Sequence, residues 1–386
     1  MRPLAASCAA VLAVVVALAA CGSPSAHGAA GVEATSAAPQ AAATVFPAET
    51  WAEATPASRG LDPARLDSAL AFLARHSGAD GLDETLVVRD GYVVWAGDSL
   101  HHRRNIYSCS KSITSTALGL LIDDGVVALD DRAAGYEPRL DSLYPAVTLS
   151  HFATMTSGYS ARGVSRWDEP SEDWGWHPYD PVVPYFAPGT AYAYWDEAQM
   201  MFGRVLARAA GRDLYDLIDE RIMRPIGVSS AWTWGTEDTL AVTSGAPIPL
   251  RNGCTGVHLT ALELARVGWL YANSGVWAGD TLISPNFARA ATTTQVPADL
   301  PVGPTDRADV RGPGNYGYNW WTANPTGGGD FAMPHAPPDA AYMSGFNHNV
   351  CLVVPSERLV IVRMGDDGNP PEGKWWVWDG VLERLL

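Results

Sequence analysis

The chain of 386 residues is 47% hydrophobic and 10% aromatic, the composition of a globular protein rather than a fibre or a disordered segment. Its 26 basic residues face 42 acidic ones, a formal net charge of −16, so the basic stripe that nucleic-acid binding requires is not present. The cations comprise 24 Arg and two Lys, Lys111 and Lys374. A Lys that survives such a bias suits a task Arg cannot perform, the loss of a proton near neutral pH.

In chain order, Arg2 and an apolar run from Leu4 to Ala20 read as a secretory signal over residues 1–20. The run Leu18-Ala19-Ala20-Cys21 resembles a bacterial lipobox, with Cys21 the residue that takes the lipid; an ordinary signal peptide containing a Cys is the alternative. Residues 21–47, rich in Ala, Ser, Gly and Pro without periodicity, read as a flexible linker that holds a domain at 48–386 clear of a membrane. The expected location is therefore the outer face of a bacterial membrane, or secreted or periplasmic if Cys21 carries no lipid. Asp62-Pro63 followed by Leu66, Leu70 and Leu73 predicts a capped helix ending near Gly78. Thr85–Arg89 and Tyr92–Ala96, joined by Asp90-Gly91, predict a tight hairpin. The stretch from Ser108 to Asp123 has a helical pattern with Leu118, Leu121 and Ile122 on one face and Gly125 as stop. Asp196 with Gln199, and Thr260 with Glu263, read as capping boxes opening two more helices. Val350–Pro355 and Leu359–Met364 form a second hairpin, and Trp375 to Leu386 a closing helix. The expected fold is α/β (α+β): an antiparallel sheet built from both chain ends, flanked by terminal helices, with a mainly helical region at about 108–300 inserted between its halves.

The chemistry concentrates at Ser108-Cys109-Ser110-Lys111. A Ser-x-x-Lys at a helix start places Ser108 and Lys111 one turn apart on one face, where a desolvated amine can activate the hydroxyl and backbone N–H groups favour an oxyanion. No Gly-x-Ser-x-Gly competes; Gly158-Tyr159-Ser160-Ala161-Arg162-Gly163 has the wrong spacing. Neither CxxC nor HExxH occurs, and His101-His102 beside Arg103-Arg104 reads as a solvated turn, so neither metal nor organic cofactor is expected. Besides Cys21, the mature part holds Cys109, Cys254 and Cys351; three is odd, so at least one thiol stays free or pairs outside the chain. Between Gly158 and Pro188, Trp167, Trp174, Trp176, His177, Tyr179, Tyr185 and Phe186 either wall an apolar pocket or pack over the helical region.

From about residue 58 onward the chain resembles the serine β-lactamase-related family of Ser-x-x-Lys hydrolases, which includes penicillin-binding proteins, AmpC-like β-lactamases, esterases and 6-aminohexanoate-dimer hydrolases. YSCSKSITSTALGLLIDDGVVALDD, TLSHFATMTSGY, PGTAYAYWDEAQMMFGRVL, LTALELARVGWLYANSGVWAGDTLIS and YMSGFNHNVCLVVPSERLVIV carry the likeness, in the family's order. It implies Ser108 as the acylated nucleophile, Lys111 as the group that takes or relays its proton, and Tyr194 as the tyrosine sharing that role and protonating the leaving group. It puts the oxyanion hole at the backbone N–H groups of Ser108 and Phe346, with Asp196, Ser344, Gly345, Trp174 and Trp176 toward the substrate.

Two positions depart from the family pattern. Asp196 stands where Asn is usual; it serves as an N-cap, holds Lys111 protonated, or attracts a substrate amine. Met343 stands where the third motif carries a cation, which equips the site poorly for a β-lactam carboxylate. His348, just beyond, reads as a surface or core residue rather than a catalytic one. The expected function is an exported, lipid-tethered serine hydrolase acting through an acyl-enzyme on a small-molecule ester or amide. A cell-wall D-amino-acid peptidase or β-lactamase is the enzymatic alternative, and a penicillin-binding-like lipoprotein without turnover the alternative from another class.

Overall fold

The computed structural model describes residues 44–163, 177–241, 246–303 and 310–386. Cys21, Trp167, Trp174 and Trp176 lie outside the described residues. Asp62 caps the first helix, α1 (Pro63–Arg75), by accepting the Ala64 N–H, with Pro63 at the position where a missing N–H costs nothing. The predicted hairpin follows. Asp90 and Gly91 take φ of 57° and 85°, the left-handed pair that a two-residue turn between twisted strands demands.

Seven strands make the central sheet: β1 (Ala52–Glu53), β2 (Glu84–Arg89), β3 (Tyr92–Ala96), β4 (Trp321–Thr322), β5 (Ala341–Gly345), β6 (Asn349–Val354) and β7 (Leu359–Met364). Their spatial order is β1-β3-β2-β7-β6-β5-β4, antiparallel except for the β1–β3 pair. The join between the two chain ends is the β2–β7 ladder, where Val87 opposes Ile361 and Val88 opposes Val360. Side chains alternate strictly between two cores. Val350, Leu352, Val354, Leu359 and Ile361 face one side, and Cys351, Val353, Val360 and Val362 the other.

On the first face, Leu66, Phe72 and Leu73 of α1 meet Val377, Trp378, Val381 and Leu382 of the C-terminal helix (Lys374–Leu385). Each such side chain, fully buried, contributes about 1.5–3 kcal/mol. On the second face lies the helix Ala261–Ala272, opened by the expected capping box: Thr260 Oγ1 accepts the Glu263 N–H at 3.2 Å, and Glu263 Oε2 accepts the Thr260 N–H at 3.0 Å. Two other helices of the inserted region, α2 (Ser110–Asp123) and α3 (Asp196–Ala210), pack into that core; Ala261–Ala272 is α4 here and the C-terminal helix, Lys374–Leu385, is α5. Helix α2 is buried on all sides from Ser110 to Leu121, so the single apolar face of Leu118, Leu121 and Ile122 understates its environment. Among the described residues no helix is long and apolar enough to cross a membrane.

The second predicted capping box does not form. The N-cap of α3 is Trp195, without a side-chain cap, and Asp196 is the first helical residue. Gln199 instead donates to the Phe152 carbonyl at 2.8 Å. Asp and Gln at this spacing suit a cap, but a buried ammonium outcompetes a backbone N–H for a carboxylate.

Candidate active site

Ser108 lies in a 3-10 turn, Tyr107–Cys109, that leads directly into α2. Asn105 sets that turn by accepting the N–H of Tyr107 at 2.8 Å and of Gly256 at 3.2 Å. Ser110 Oγ accepts the Val257 N–H at 3.1 Å, which ties the start of α2 to the strand beside it. Tyr107 takes a left-handed φ of 49°, a conformation that costs a non-glycine residue about 1 kcal/mol or more and persists where surrounding contacts enforce it. Ser108 remains half-buried, open to a substrate, while Cys109 and Ser110 face inward.

Lys111 reaches back one turn to Ser108. Its Nζ donates to Ser108 Oγ at 2.8 Å and to the Cys254 carbonyl at 3.2 Å, and pairs with Asp196 Oδ1 at 2.7 Å. The three protons of an ammonium therefore have three acceptors. Lys111 is 1% exposed. Burial opposes its charge, but the Asp196 carboxylate outweighs burial and lifts the amine above the ordinary lysine range. Of the three roles open to Asp196, the structure forms the contact that holds Lys111 protonated.

Tyr194 completes the cluster. Its ring centroid lies 4.9 Å from Lys111 Nζ, and its hydroxyl stands near enough to Ser108 and Lys111 for both to favour the ionised phenol. The ring is stacked on Trp321 at 5.7 Å and meets Tyr316 edge-on at 6.3 Å. Burial pushes the phenol up more strongly than Lys111 pulls it down, so Tyr194 is neutral at physiological pH.

The opposite wall is β5. Gly345 lies against the Ser108 turn so closely that a Cβ there would sit 2.2 Å from the Ile106 carbonyl oxygen and 3.2 Å from Cys109 Sγ. Only glycine lets this strand edge approach the serine. Phe346, next in the chain, is 53% exposed and meets Tyr107 edge-on at 5.7 Å. The turn beyond Phe346 is held from below by Arg363, fully buried, which donates to the carbonyls of Asn347 at 2.8 Å and Ser77 at 2.6 Å and pairs with Asp367 at 2.9 Å.

Four residues that position this site were not singled out by sequence. Asn252 accepts the Cys254 N–H at 3.0 Å, orienting the carbonyl that Lys111 uses. Asn319 donates to Gln199 at 2.7 Å and to the Lys111 carbonyl at 3.3 Å, and so links α2 to α3. Arg363 is the third. Lone Asn or Arg residues carry no periodic signal.

Lys374 is the fourth, and it corrects the expectation of a third motif without its cation. From the first turn of α5, its Nζ donates to Ser344 Oγ at 3.3 Å and to the Gly345 carbonyl. Position 343 is indeed apolar, with Met343 buried in the core; the amine comes from another element 31 residues later. Both lysines of the chain thus stand at one site. Their scarcity among 24 arginines, which drew attention to Lys111, is the signal that could have found Lys374.

His348 is fully buried, edge-on to Trp378 at 5.9 Å, and burial pushes it down to about 3, so it is a neutral packing residue. His102 is exposed and pairs with Glu84 at 3.0 Å, and among the described residues no group of His, Cys, Asp or Glu could hold a metal. Cys109, Cys254 and Cys351 are all buried and unbridged. Of the aromatic segment, Tyr185 meets Trp195 edge-on at 5.6 Å, just ahead of α3.

The chain belongs to the Beta-lactamase family, which matches residues 80–375. It is 28% identical to the D-alanyl-D-alanine-carboxypeptidase/endopeptidase AmpH of Escherichia coli K12, over 54% of this chain and 59% of that one. It is 32% identical to a D-aminopeptidase of Cereibacter sphaeroides, over 52% of this chain and 40% of that protein. The match therefore spans about three-fifths or less of these relatives' length. Its fold is also that of a penicillin-binding protein homologue from Caulobacter crescentus, with a TM-score of 0.61 at 18% identity, covering 84% of this chain and 98% of that one.

Proposed function

We infer that the protein is a serine hydrolase acting through an acyl-enzyme on an ester or amide of a small molecule. The observation that carries this reading is Lys111 Nζ at 2.8 Å from Ser108 Oγ, with the neutral Tyr194 hydroxyl beside both. Ser108 Oγ attacks the substrate carbonyl. Its proton passes to the Tyr194 oxygen as the proton of Tyr194 passes to the leaving group, so the phenol ends as it began. Lys111, kept as an ammonium by Asp196, stabilises negative charge on Oγ during the transfer. The N–H groups of Ser108 and Phe346 receive the carbonyl oxygen as it becomes an oxyanion. Water then attacks the acyl-enzyme by the reverse shuttle, returning a proton to Ser108. None of these steps draws on a metal or organic cofactor.

Replacing Ser108 by Ala should end covalent labelling by a fluorophosphonate and lower kcat by at least ~10⁴-fold, as loss of a nucleophile does elsewhere. Ser110→Ala, which only removes the acceptor for the Val257 N–H, should still label. Intact-mass analysis after incubation with esters, amides and β-lactams reads both. Equal loss of labelling in the two variants would refute Ser108 as the nucleophile. Export with a lipid on Cys21 belongs to the same reading, supported by the Leu18–Cys21 run. Metabolic palmitate labelling that persists in Cys21→Ala would refute it.

A further inference from the structure

The turn from β5 to β6 carries the Phe346 N–H, one of the two donors proposed for the oxyanion. Asn347 and His348 in that turn take φ of 57° and 58°, and two left-handed residues in succession without glycine persist where surrounding contacts enforce them. Among the described residues no protein acceptor takes the N–H of Phe346 or of Ser108. One side chain holds this turn from within. Asn349, fully buried, gives one amide N–H to the Phe346 carbonyl at 2.6 Å and the other to the Gly365 carbonyl at 3.1 Å; its Oδ1 accepts the Gly365 N–H at 3.2 Å. These partners fix which way the amide faces, because the flipped group would set its oxygen against two carbonyls. The main chain of the same residue reaches toward the other donor. Cys109, next to Ser108, donates its thiol proton to the Asn349 carbonyl at 3.4 Å.

We propose that Asn349 is a positioning residue for the oxyanion hole, setting the Phe346 peptide with its side chain and the Ser108 turn with its carbonyl. The proposal rests on Ser108 being the nucleophile, with the N–H groups of Ser108 and Phe346 receiving the carbonyl oxygen. An oxyanion donor is effective when it is fixed before charge develops, so that no reorganisation is needed during the reaction. The N–H and the carbonyl of Phe346 flank one Cα, so a carbonyl locked at 2.6 Å restrains the planar peptide on either side of it. Arg363 does not duplicate this hold, because its guanidinium reaches the carbonyls of Asn347 and His348 and not that of Phe346. Without the Asn349 amide the Phe346 carbonyl keeps only the Asn349 backbone N–H, at 3.3 Å, and the left-handed pair is free to relax.

The test measures p-nitrophenyl butyrate turnover by the full-length protein and, by calorimetry, its affinity for phenylboronic acid, whose tetrahedral adduct on a serine imitates the oxyanion. Asn349→Ala should lower kcat roughly ten- to hundredfold, less than deleting a whole donor does, and weaken boronate binding by a similar factor. KM should move by less than about threefold. Val354→Ala opens a cavity about 17 Å further along β6 and controls for simple loss of stability; it should leave both readouts within about twofold. Circular dichroism and urea unfolding show that each variant is folded and how far it is destabilised. Asn349→Asp keeps the shape but, when ionised, loses both donors. It should show the same joint loss at pH 7, and it decides the matter if Asn349→Ala does not fold. Turnover and boronate affinity that survive the Asn349 changes, that fall no further than in Val354→Ala, or a loss carried by KM alone, would overturn the proposal. Ser108→Ala separates the two levels. Boronate binding that persists in it sinks the nucleophile reading and the proposal together, whereas binding lost there but intact in the Asn349 variants sinks the proposal alone.

Discussion

The two sides of the active site hold the same residue type under burial and push it in opposite directions. Lys111, 1% exposed, has a carboxylate at 2.7 Å and is raised above the ordinary lysine range. Lys374 has only a hydroxyl and a carbonyl, and is lowered to about 8. Burial is the largest influence on both and acts in the same sense, so the carboxylate of Asp196 decides the difference. One lysine is thereby fixed as an ammonium. The other is a cation that mild alkali can discharge.

The largest way to break the comparison is to remove the paired lysine. Lys111→Met leaves Asp196 buried without its ammonium, and should cost about 3–5 kcal/mol of stability and at least a hundredfold in acylation rate. Adding Asp196→Leu should recover much of the stability and none of the rate. Chemical denaturation and fluorophosphonate labelling separate the two effects.

Asp196→Asn is subtler, because it converts Lys111 into a second Lys374. In the wild type the folded amine lies above its unfolded value of 10.5, so its contribution to stability is fully present below pH 10.5 and is lost only above it. With Asn, the largest influence opposing burial is gone and the amine should move down; where it falls below 10.5, stability should drop by about 1–3 kcal/mol at neutral pH and recover as pH rises. The rate profile distinguishes two mechanisms. If the ammonium is required, the alkaline limb moves to lower pH in the variant. If Lys111 is itself the base, neutral amine becomes more abundant and the acidic limb moves down instead.

The sheet was legible because both of its hairpins announce themselves by alternation and by turn residues, and the β2–β7 join then follows from two apolar ladders with nowhere else to pair. Ser108 and Lys111 were singled out by their spacing and Tyr194 by the family resemblance, and the structure places the three side by side. Two features resisted. The sequence Asp196-x-x-Gln199 satisfies the capping-box pattern as well as Thr260-x-x-Glu263 does, and only the second forms one, because Asp196 meets a buried ammonium from α2. Local pattern cannot register a partner 85 positions away. Lys374 was hidden for the same reason: the third motif is searched along β5, whereas the amine comes from α5.

The smallest expected effect sharpens the comparison from the Lys374 side. Its folded amine lies at about 8 against an ordinary 10.5, so between these values the unfolded chain binds more protons than the native protein. Stability must then rise with pH across that window, by about 1–3 kcal/mol at most and less where Ser344 and water relieve the charge. Below pH 8 the native protein carries the full cost of a buried ammonium; above 10.5 that cost is gone. Other groups titrate in the same range, so the quantity to follow is the difference between wild type and Lys374→Met, measured by urea unfolding at pH 7, 8.5 and 10. The variant carries no amine and should gain most over the wild type at pH 7, with the gap closing as the pH rises. A gap that stays constant from pH 7 to 10 would mean that the Lys374 amine is solvated like any surface lysine, and the contrast with Lys111 would reduce to the single ion pair with Asp196.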